Sequence, residues 1–261
     1  MNILDKIVLR KKEEIAEAKQ KVSVKELEAN SNFNRQPLVF KDFLLDENRT
    51  GIIAEFKRRS PSKGLINGTA KVAEVTQAYN LAGASALSVL TDTDFFGGKA
   101  EDLFQARAVN QIPILRKDFI IDEYQILEAK AWGADIILLI ASILTPQQII
   151  DFGKLAQSLG LSVLLEVHNL KELEKSICPN VNAIGVNNRN LGDFTVNIQT
   201  SFDLVDKIPN EFLKISESAI DNPEVIKQLK AVGYNGFLIG ENFMKTDNPG
   251  QAIKEFVTQL K

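Results

Sequence analysis

The sequence predicts an α/β fold, a closed (βα)8 barrel preceded by an N-terminal helical extension. Eight apolar runs of strand length follow one another from residue 51 onward, with helical patterns between them. The runs are apolar without clear alternation, which is typical of parallel strands covered by helices. A chain of 261 residues is long enough to form one such barrel as a single domain.

The eight runs share a length of three to six residues and are bounded by turn residues or helical patterns. The predicted strands are Gly51–Phe56, Ala86–Leu90, Ile112–Leu115, Ile136–Ile140, Leu161–Leu165, Ala183–Val186, Leu213–Ile215 and Phe237–Ile239. Eight units favour a closed barrel of the TIM type over an open doubly wound sheet. A dinucleotide-binding fold gains no support, because no Gly-x-Gly-x-x-Gly follows the first strand.

Several predicted helices carry their own start signals. Thr145-Pro146, Asn222-Pro223 and Asn248-Pro249 each place a capping residue before a proline that can occupy the first helical position. Val72–Tyr79 and Asp122–Ala129 also have helical patterns. These helices fall between predicted strands, as the alternating order of a barrel requires.

Residues 1–48 differ from the rest and are predicted to form a helical extension packed on a catalytic barrel domain of residues 49–261. Apolar residues recur at roughly helical spacing amid many charges, at Ile3, Ile7, Val8, Ile15 and Ala18. Ser23 is a candidate cap for a second helical piece, and Phe40–Leu45 is a third apolar segment. The regular spacing favours packed helices over a loose charged tail.

Composition excludes several classes of protein. The net charge of -3 provides no overall positive field for nucleic acid. The longest apolar run, Ile136 to Leu144, is too short to span a bilayer, and the first residues lack the pattern of a signal peptide. We therefore expect a cytoplasmic protein with no nucleic-acid or membrane partner.

The scarcity of cysteine and histidine limits the chemistry. Cys178 is the sole cysteine and His168 the sole histidine, so neither a disulfide within the chain nor a Cys- or His-based metal site is expected. The usual Ser-His and Cys-His nucleophilic systems are also disfavoured. If the protein is an enzyme, its proton transfers depend on Lys, Glu and Asp.

Polar residues recur where the predicted strands end. Active sites of (βα)8 barrels lie at the carboxyl ends of the strands. The charged, amide and hydroxyl candidates there are Glu55, Lys57, Lys117, Glu166, Asn187, Arg189 and Ser218. Each alone could be a solvated strand end, but solvation would place such residues at both ends of the strands. The set therefore predicts one shared site.

Lysines beside glutamates can carry acid–base chemistry without histidine. If Lys57 and Lys117 lie close, the charge of one is expected to lower the pKa of the other. A Schiff-base lysine at either position is then an alternative. His168 has no partner histidine and is interpreted as a structural or rim residue rather than a metal ligand.

Other residues indicate what the site would bind. Ser218 and Gly240 follow the seventh and eighth strands, where barrels commonly hold phosphate on backbone N–H groups. Arg189 could pair with a carboxylate, and Phe96, Phe119 and Phe194 could flank an aromatic ring. Together these residues predict a ligand that carries a phosphate, a carboxylate and an aromatic ring.

The ordered motifs at the strand ends resemble those of the indole-3-glycerol phosphate synthase family over nearly the whole chain. The matching stretches are Ile53–Gly64, Leu87–Asp92 with Phe95–Gly98, Leu115–Phe119, Leu165–His168, Asn187–Leu191, Ser216–Ser218 and Ile239–Glu241. The N-terminal extension is similar to the family's as well. The Glu-x-Lys pair alone would be a weak signal, whereas several motifs in the family's order are a strong one.

The resemblance implies an enzyme of the tryptophan pathway that converts 1-(2-carboxyphenylamino)-1-deoxyribulose 5-phosphate to indole-3-glycerol phosphate. By similarity, Lys117 is the general acid for ring closure and Glu166 the acid–base group for dehydration. Lys57 binds near the phosphate and is a second candidate proton donor. Glu55, Asn187 and Ser218 would orient these groups and the substrate hydroxyls.

The resemblance also implies the binding residues and partners. Ser60 and Arg189 would hold the anthranilate carboxylate. The apolar wall would comprise Phe96, Phe119, Leu138, Phe194 and Leu238, and backbone groups near Ala219, Gly240 and Glu241 would hold the phosphate. No metal or cofactor is implied. The expected partner is a small phosphorylated substrate, and the expected state is a monomer.

One residue departs from the family pattern. The family usually has glycine after the serine of the seventh strand, where this chain has Ala219. Glycine there tolerates positive φ and lets backbone approach a phosphate closely. We expect phosphate binding to survive the added methyl group.

Two other readings remain open at this point. One is another phosphosugar barrel, such as an isomerase, which would not need Glu55, Lys57, Lys117 and Glu166 together. The other is a barrel that binds a phosphorylated metabolite without catalysis, which would have no reason to retain the acid–base residues.

Overall fold

The eight predicted strands form a closed parallel barrel in the computed structural model, which describes residues 2–190, 192 and 194–260. The barrel strands are β1 Ile52–Phe56, β4 Ala86–Leu90, β5 Ile114–Lys117, β6 Ile136–Ile140, β7 Ser162–Val167, β8 Ala183–Asn187, β9 Leu213–Glu217 and β10 Gly236–Ile239, and a separate antiparallel hairpin comprises β2 Arg59–Ser60 and β3 Gly64–Leu65. Each barrel strand pairs with its neighbours along the chain, and β10 closes the ring against β1. The predicted (βα)8 barrel is confirmed.

Some strand ends differ from the prediction by one or two residues. The predicted start of the third strand at Ile112 is wrong, because β5 begins after Pro113, which has no N–H for a strand ladder. At their carboxyl ends β5, β7 and β9 continue into charged residues, with Lys117 pairing with Leu90 and Glu217 with Asn187. The side chains predicted to follow the strands therefore stand on the strands, where a ladder fixes their direction.

The N-terminal extension comprises α1 Ile3–Lys21, α2 Val24–Glu28 and α3 Phe40–Leu44. Asn2 and Ser23 close capping boxes at the starts of α1 and α2, so Ser23 caps its helix as predicted. Ile7 packs into the apolar interior of the barrel from the mouth. Leu44 reaches the interior from the other end, next to Gly236 at the start of β10.

The outer layer consists of helices that alternate with the strands. They are α4 Val72–Leu81, α5 Ala100–Val109, α6 Glu123–Ala131, α7 Pro146–Ser158, α8 Leu170–Ser176, α9 Gln199–Leu204, α10 Pro223–Ala231, α11 Glu241–Met244 and α12 Pro249–Thr258, with a 3-10 turn at Val205–Lys207. Thr145, Asn222 and Asn248 accept N–H bonds at the starts of α7, α10 and α12 as predicted.

The core has an inner and an outer part. Buried residues that point into the barrel, such as Ile53, Leu115 and Leu164, form one apolar cluster. Residues that point outward, such as Ala54 and Ile137, form a larger cluster with the surrounding helices. Because both strand faces are buried, the strands are apolar without alternation. Among the described residues, no helix is long and apolar enough to cross a membrane.

Candidate active site

All of the residues predicted for the site line two adjoining cavities at the carboxyl ends of the barrel strands. The first is lined by Glu55, Lys57, Ser60, Phe96, Lys117, Phe119, Leu138, Glu166, Asn187, Arg189, Phe194, Ser218, Leu238 and Glu241. Ala219 and Gly240 line the second, which shares Glu55, Lys57 and Ser218 with the first. Leu191, the last residue of the matching stretch Asn187–Leu191, lies outside the described residues. The structure thus brings the set together, while the role of each residue stays a prediction.

A lysine between two carboxylates lies at the centre of the site. Lys117 Nζ lies 2.8 Å from Oε2 of Glu166 and 3.6 Å from Oε2 of Glu217. The two glutamates end β7 and β9 and are almost completely buried. Side chains from three different strands meet here because the strand ends surround a common axis.

Burial and charge set the protonation of this group. Burial alone would lower the pKa of Lys117, but Glu166, Glu217 and Glu55 outweigh it and raise that pKa above its usual range. The expectation that a neighbouring lysine lowers the pKa of Lys117 is therefore wrong, because three carboxylates face it. Burial would raise the pKa of Glu166, but Lys117 and His168 hold it well below its usual range.

The pKa of Glu217 is shifted in the opposite direction to that of Glu166. Burial, opposed by Lys117 and reinforced by Glu166 and Glu55, raises the pKa of Glu217 to about 8. Of these two interacting carboxyl groups, Glu166 therefore favours the carboxylate form, and Glu217 holds a proton more readily than an ordinary glutamate. Two carboxyl groups with separated pKa values beside one ammonium can both accept and donate protons.

Glu55 on β1 and Lys57 directly after β1 form an ion pair in the neighbouring part of the first cavity. Lys57 Nζ lies 2.8 Å from Oε1 of Glu55, and Oε2 of Glu55 accepts a hydrogen bond from Ser88 at 3.1 Å. Gly240 packs against Glu55 so closely that a Cβ there would lie 2.6 Å from Oε1. Glu55 is thus fixed on three sides, and it directs the Lys57 ammonium toward both cavities.

Apolar side chains form one wall of the first cavity. The rings of Phe96 and Phe119 lie 5.8 Å apart between centroids at a tilt of 38°. Leu138 and Leu238 are nearly fully buried beside them. This wall suits a flat aromatic group, because aromatic rings prefer tilted or offset contacts.

The loop after β1 differs from the prediction. The sequence indicated a turn-rich loop at Ser60–Gly64, whereas Arg59 and Ser60 pair with Gly64 and Leu65 in a short hairpin. The pairing fixes Ser60 with its side chain buried at the cavity, 3.4 Å from the hydroxyl of Ser62.

Arg189 lies at the edge of both cavities. Its guanidinium lies 3.3 Å from Oε2 of Glu241, and Lys63 lies 3.6 Å from the other oxygen of that carboxylate. The backbone N–H of Arg189 donates to Oδ1 of Asn187 at 3.0 Å. Glu241 is thus the carboxylate that pairs with Arg189, and a carboxylate of a bound ligand would compete with it for the guanidinium.

The backbone after β9 turns in the left-handed region. Ser218 has φ 66° and Ala219 has φ 60°. This conformation costs a residue with a Cβ about 1–2 kcal/mol. Ala219 therefore adopts the backbone conformation for which glycine is the usual residue. This conformation shapes the lining of the second cavity, and it lowers the stability of the fold.

Ala219→Gly is expected to raise the free energy of unfolding by about 1 kcal/mol. The gain is the relieved strain minus about 0.4–1 kcal/mol of entropy that glycine adds to the unfolded chain. Thermal unfolding measures it. The matched control is Ala29→Gly, since Ala29 is exposed with φ -75° and should lose stability instead. Equal losses in both variants would contradict strain at Ala219.

Sequence reasoning missed several residues of the site. Glu217 lies inside the matching stretch Ser216–Ser218 but has no predicted role, although its position beside Ser218 is a usable signal. Ile3 and Ile7 were expected to pack on the barrel, whereas they also line the first cavity. His168 lies 3.3 Å from Glu166, and nothing in the sequence beyond their spacing indicated that contact.

No group of three or more His, Cys, Asp and Glu side chains within the described residues is arranged to hold a metal ion. The acid–base groups of the site are instead paired with one another.

The fold and the site together define a (βα)8 barrel with paired lysine and glutamate side chains at the carboxyl ends of its strands, a set of groups that is able to carry acid–base chemistry. The model of the indole-3-glycerol phosphate synthase family matches residues 4–256. An indole-3-glycerol phosphate synthase from Bacteroides thetaiotaomicron is 45% identical over 260 residues, covering 100% of this chain and 99% of the relative. The chain belongs to the indole-3-glycerol phosphate synthase family.

Solved structures of other enzymes share the barrel at low identity. Thiamine phosphate pyrophosphorylase from Pyrococcus furiosus has a TM-score of 0.60 and 15% identity, covering 82% of this chain and 98% of that one. N-acetylmannosamine-6-phosphate 2-epimerase from Clostridium perfringens has a TM-score of 0.59 and 15% identity, covering 84% of this chain and 96% of that one. These likenesses show the fold alone.

Proposed function

We propose that the protein catalyses ring closure, decarboxylation and dehydration of 1-(2-carboxyphenylamino)-1-deoxyribulose 5-phosphate to indole-3-glycerol phosphate, as a carboxy-lyase of tryptophan biosynthesis. The observation that supports this most is the buried pair of Lys117 and Glu166, 2.8 Å apart in a cavity with an aromatic wall. It supplies an acid and a base where an aromatic substrate would lie. The isomerase and non-catalytic alternatives gain no support from the family.

Lys117 acts first in the proposed reaction. The ring carbon that bears the carboxylate attacks the ribulose carbonyl carbon, and Lys117 gives a proton to the carbonyl oxygen, which becomes a hydroxyl. The raised pKa of Lys117 keeps that proton in place until the substrate binds. Carbon dioxide then leaves, and the electron pair of the broken bond returns to the ring.

Glu166 serves the second stage. The methylene carbon next to the nitrogen loses a proton to Glu166, and a proton passes from Glu166 to the new hydroxyl as its bond to carbon breaks, so that it leaves as water and the indole ring is complete. Glu166 is the acid–base group of this step, and its lowered pKa supplies the basic form. Glu217, with a pKa raised to about 8, is a second group that can hold a proton beside Lys117.

The remaining residues hold the substrate in a reactive shape. Phe96, Phe119 and Leu138 press on the aromatic ring, and backbone groups near Ala219 and Gly240 hold the phosphate in the second cavity. Anchoring both ends brings the two reacting carbons together, which lowers the barrier to ring closure. Lys57 lies on the phosphate side, while Glu55, Asn187 and Ser218 orient the catalytic groups and the hydroxyls.

The proposal extends to the setting of the enzyme. A monomer in the cytoplasm with no metal, cofactor or nucleic-acid partner would suffice, because every acid–base group of the scheme belongs to this chain.

The purified protein should convert the carboxyphenylamino-deoxyribulose phosphate to a fluorescent indole product without added metal or cofactor. Fluorescence that increases with time, together with chromatographic identification of indole-3-glycerol phosphate, is the measurement. No product at micromolar enzyme would overturn the proposed function.

Ser60→Ala is expected to raise KM about tenfold with little change in kcat, because a hydrogen bond to a charged carboxylate contributes about 1.5 kcal/mol or more. Steady-state kinetics measures both constants. Ser62→Ala on the same hairpin is the comparison, and it should have the smaller effect. A fall in kcat at unchanged KM would place Ser60 in the chemical step instead.

A further inference from the structure

His168 lies directly behind the proposed acid–base group. It follows Glu166 by two residues at the end of β7, so both side chains face the same side of the strand. Its Nε2 atom lies 3.3 Å from Oε1 of Glu166, the oxygen that does not contact Lys117. That buried nitrogen makes no aligned hydrogen bond. The two groups nevertheless lie within ion-pair distance.

Glu172 holds the other side of the imidazole. Oε2 of Glu172 lies 3.1 Å from Nδ1 of His168 and accepts the backbone N–H of the same residue at 2.9 Å. Asn169 donates to the other oxygen at 3.1 Å and accepts the backbone N–H of Glu172. Three contacts therefore fix the Glu172 carboxylate against the ring and a fourth holds its backbone, which is more than a solvated surface glutamate requires.

The surroundings of the imidazole favour its charged form. Burial alone would lower the pKa of His168, but Glu166 and Glu172 raise it to about 10. On the far side of Glu166 lie two further charged groups, Lys117 of β5 and Glu217 of β9, from strands that are each two places away from β7 in the barrel. At neutral pH an imidazolium therefore lies between two carboxylates, one in the active site and one outside it.

We infer that His168 and Glu172 are a positioning pair whose imidazolium keeps the Glu166 carboxylate charged and oriented while Lys117 gives up its proton. This inference rests on the proposed roles of Lys117 and Glu166. When Lys117 becomes a neutral amine, Glu166 loses one of its two cationic neighbours. The imidazolium is the cation that remains, so Glu166 stays a base for the dehydration that follows.

The pair acts from outside the substrate cavity. His168 and Glu172 line a separate polar cavity of about 420 Å³, with Asn187 between it and the active site. Substitutions of the pair therefore remove no group that contacts the substrate. A positioning role should change kcat and its pH profile, whereas a purely structural role should change stability alone.

The kinetic test compares His168→Gln and Glu172→Gln with Glu174→Gln, an exposed glutamate of the same helix. We expect His168→Gln to lower kcat by up to about 10²-fold with KM near the wild-type value. In Glu172→Gln the imidazole should lose its proton at a lower pH, so the loss of kcat should grow as the pH rises. Glu174→Gln should match the wild type.

A second test needs no activity. His168 is the sole histidine, so in an untagged protein with isotope-labelled histidine its ring signals are identified at once. NMR titration should give a pKa well above the usual 6.5 in the wild type, and a lower one in both Glu172→Gln and Glu166→Gln.

The outcomes separate the two proposals. An active wild type whose His168→Gln variant keeps its kcat and pH profile would overturn this inference alone. A wild-type His168 that titrates near 6.5 would also overturn it. An inactive wild type would overturn the proposed function and this inference with it.

Discussion

Lys117→Ala is expected to lower kcat by about two to four orders of magnitude, the range that a positioned general acid contributes. The variant lacks the donor that protonates the carbonyl oxygen during ring closure. It also removes the cation that lowers the pKa of Glu166, so Glu166 is less readily ionised in the variant. Single-turnover fluorescence measures the chemical step directly.

Two further variants separate proton donation from charge. Lys117→Arg keeps a cation between the carboxylates, but a guanidinium does not give up its proton in proteins. It should stay nearly as slow as Lys117→Ala if the role of Lys117 is proton donation. Lys71→Ala, at an exposed lysine that pairs with Glu74, should keep the wild-type rate. Unchanged turnover in Lys117→Ala would remove Lys117 from the assigned role.

The parts of this structure that the sequence predicts are those with local causes. Thr145-Pro146 starts a helix because a cap and a fixed φ act on adjacent residues. The buried strands can be recognised in the sequence because a strand that is buried on both faces has apolar residues at successive positions. The candidate site could be collected from strand ends because parallel strands bring their carboxyl ends to one face of the barrel.

The parts that could not be predicted depend on partners distant in sequence. The raised pKa of Glu217 results from burial together with Glu166 and Glu55, against the opposing charge of Lys117, and these three residues come from three other strands. The sequence shows each charge but not the distances between them, which decide the sign of each pKa shift. The burial of Lys11 could not be predicted either. In the sequence Lys11 resembles the other solvated charges of α1, but in the structure it is almost fully buried.

Lys11→Met is expected to lower the free energy of unfolding by about 3–5 kcal/mol, the usual cost of breaking a buried ion pair by removing one partner. Lys11 Nζ lies 2.6 Å from Glu14, 2.9 Å from Asp92 and 3.0 Å from Asp118, and both aspartates are buried. The variant leaves Asp92 and Asp118 without this cation. Urea unfolding measures the loss.

The pH dependence of the stability lost in Lys11→Met shows whether the ion pair with Asp118 is the cause of that loss. Burial would raise the pKa of Asp118, but Lys11 and Arg116 hold it well below its usual range. A carboxylate with a lowered pKa stabilises the fold fully above its unfolded pKa of about 3.9, and that contribution is lost as the pH falls toward the folded value. The difference between wild type and Lys11→Met should therefore be full at neutral pH and should narrow below about pH 4.

Lys12→Met is the matched control, because Lys12 is the next residue on α1 and is exposed. It should change the free energy of unfolding by no more than about 0.5 kcal/mol. Equal effects in the two variants would mean that the buried cation does not stabilise the fold. Since Ile3 and Ile7 of the same helix line the substrate cavity, loosening α1 through Lys11 should also lower kcat/KM. The ion pairs that hold the extension on the barrel would then also keep the active site covered.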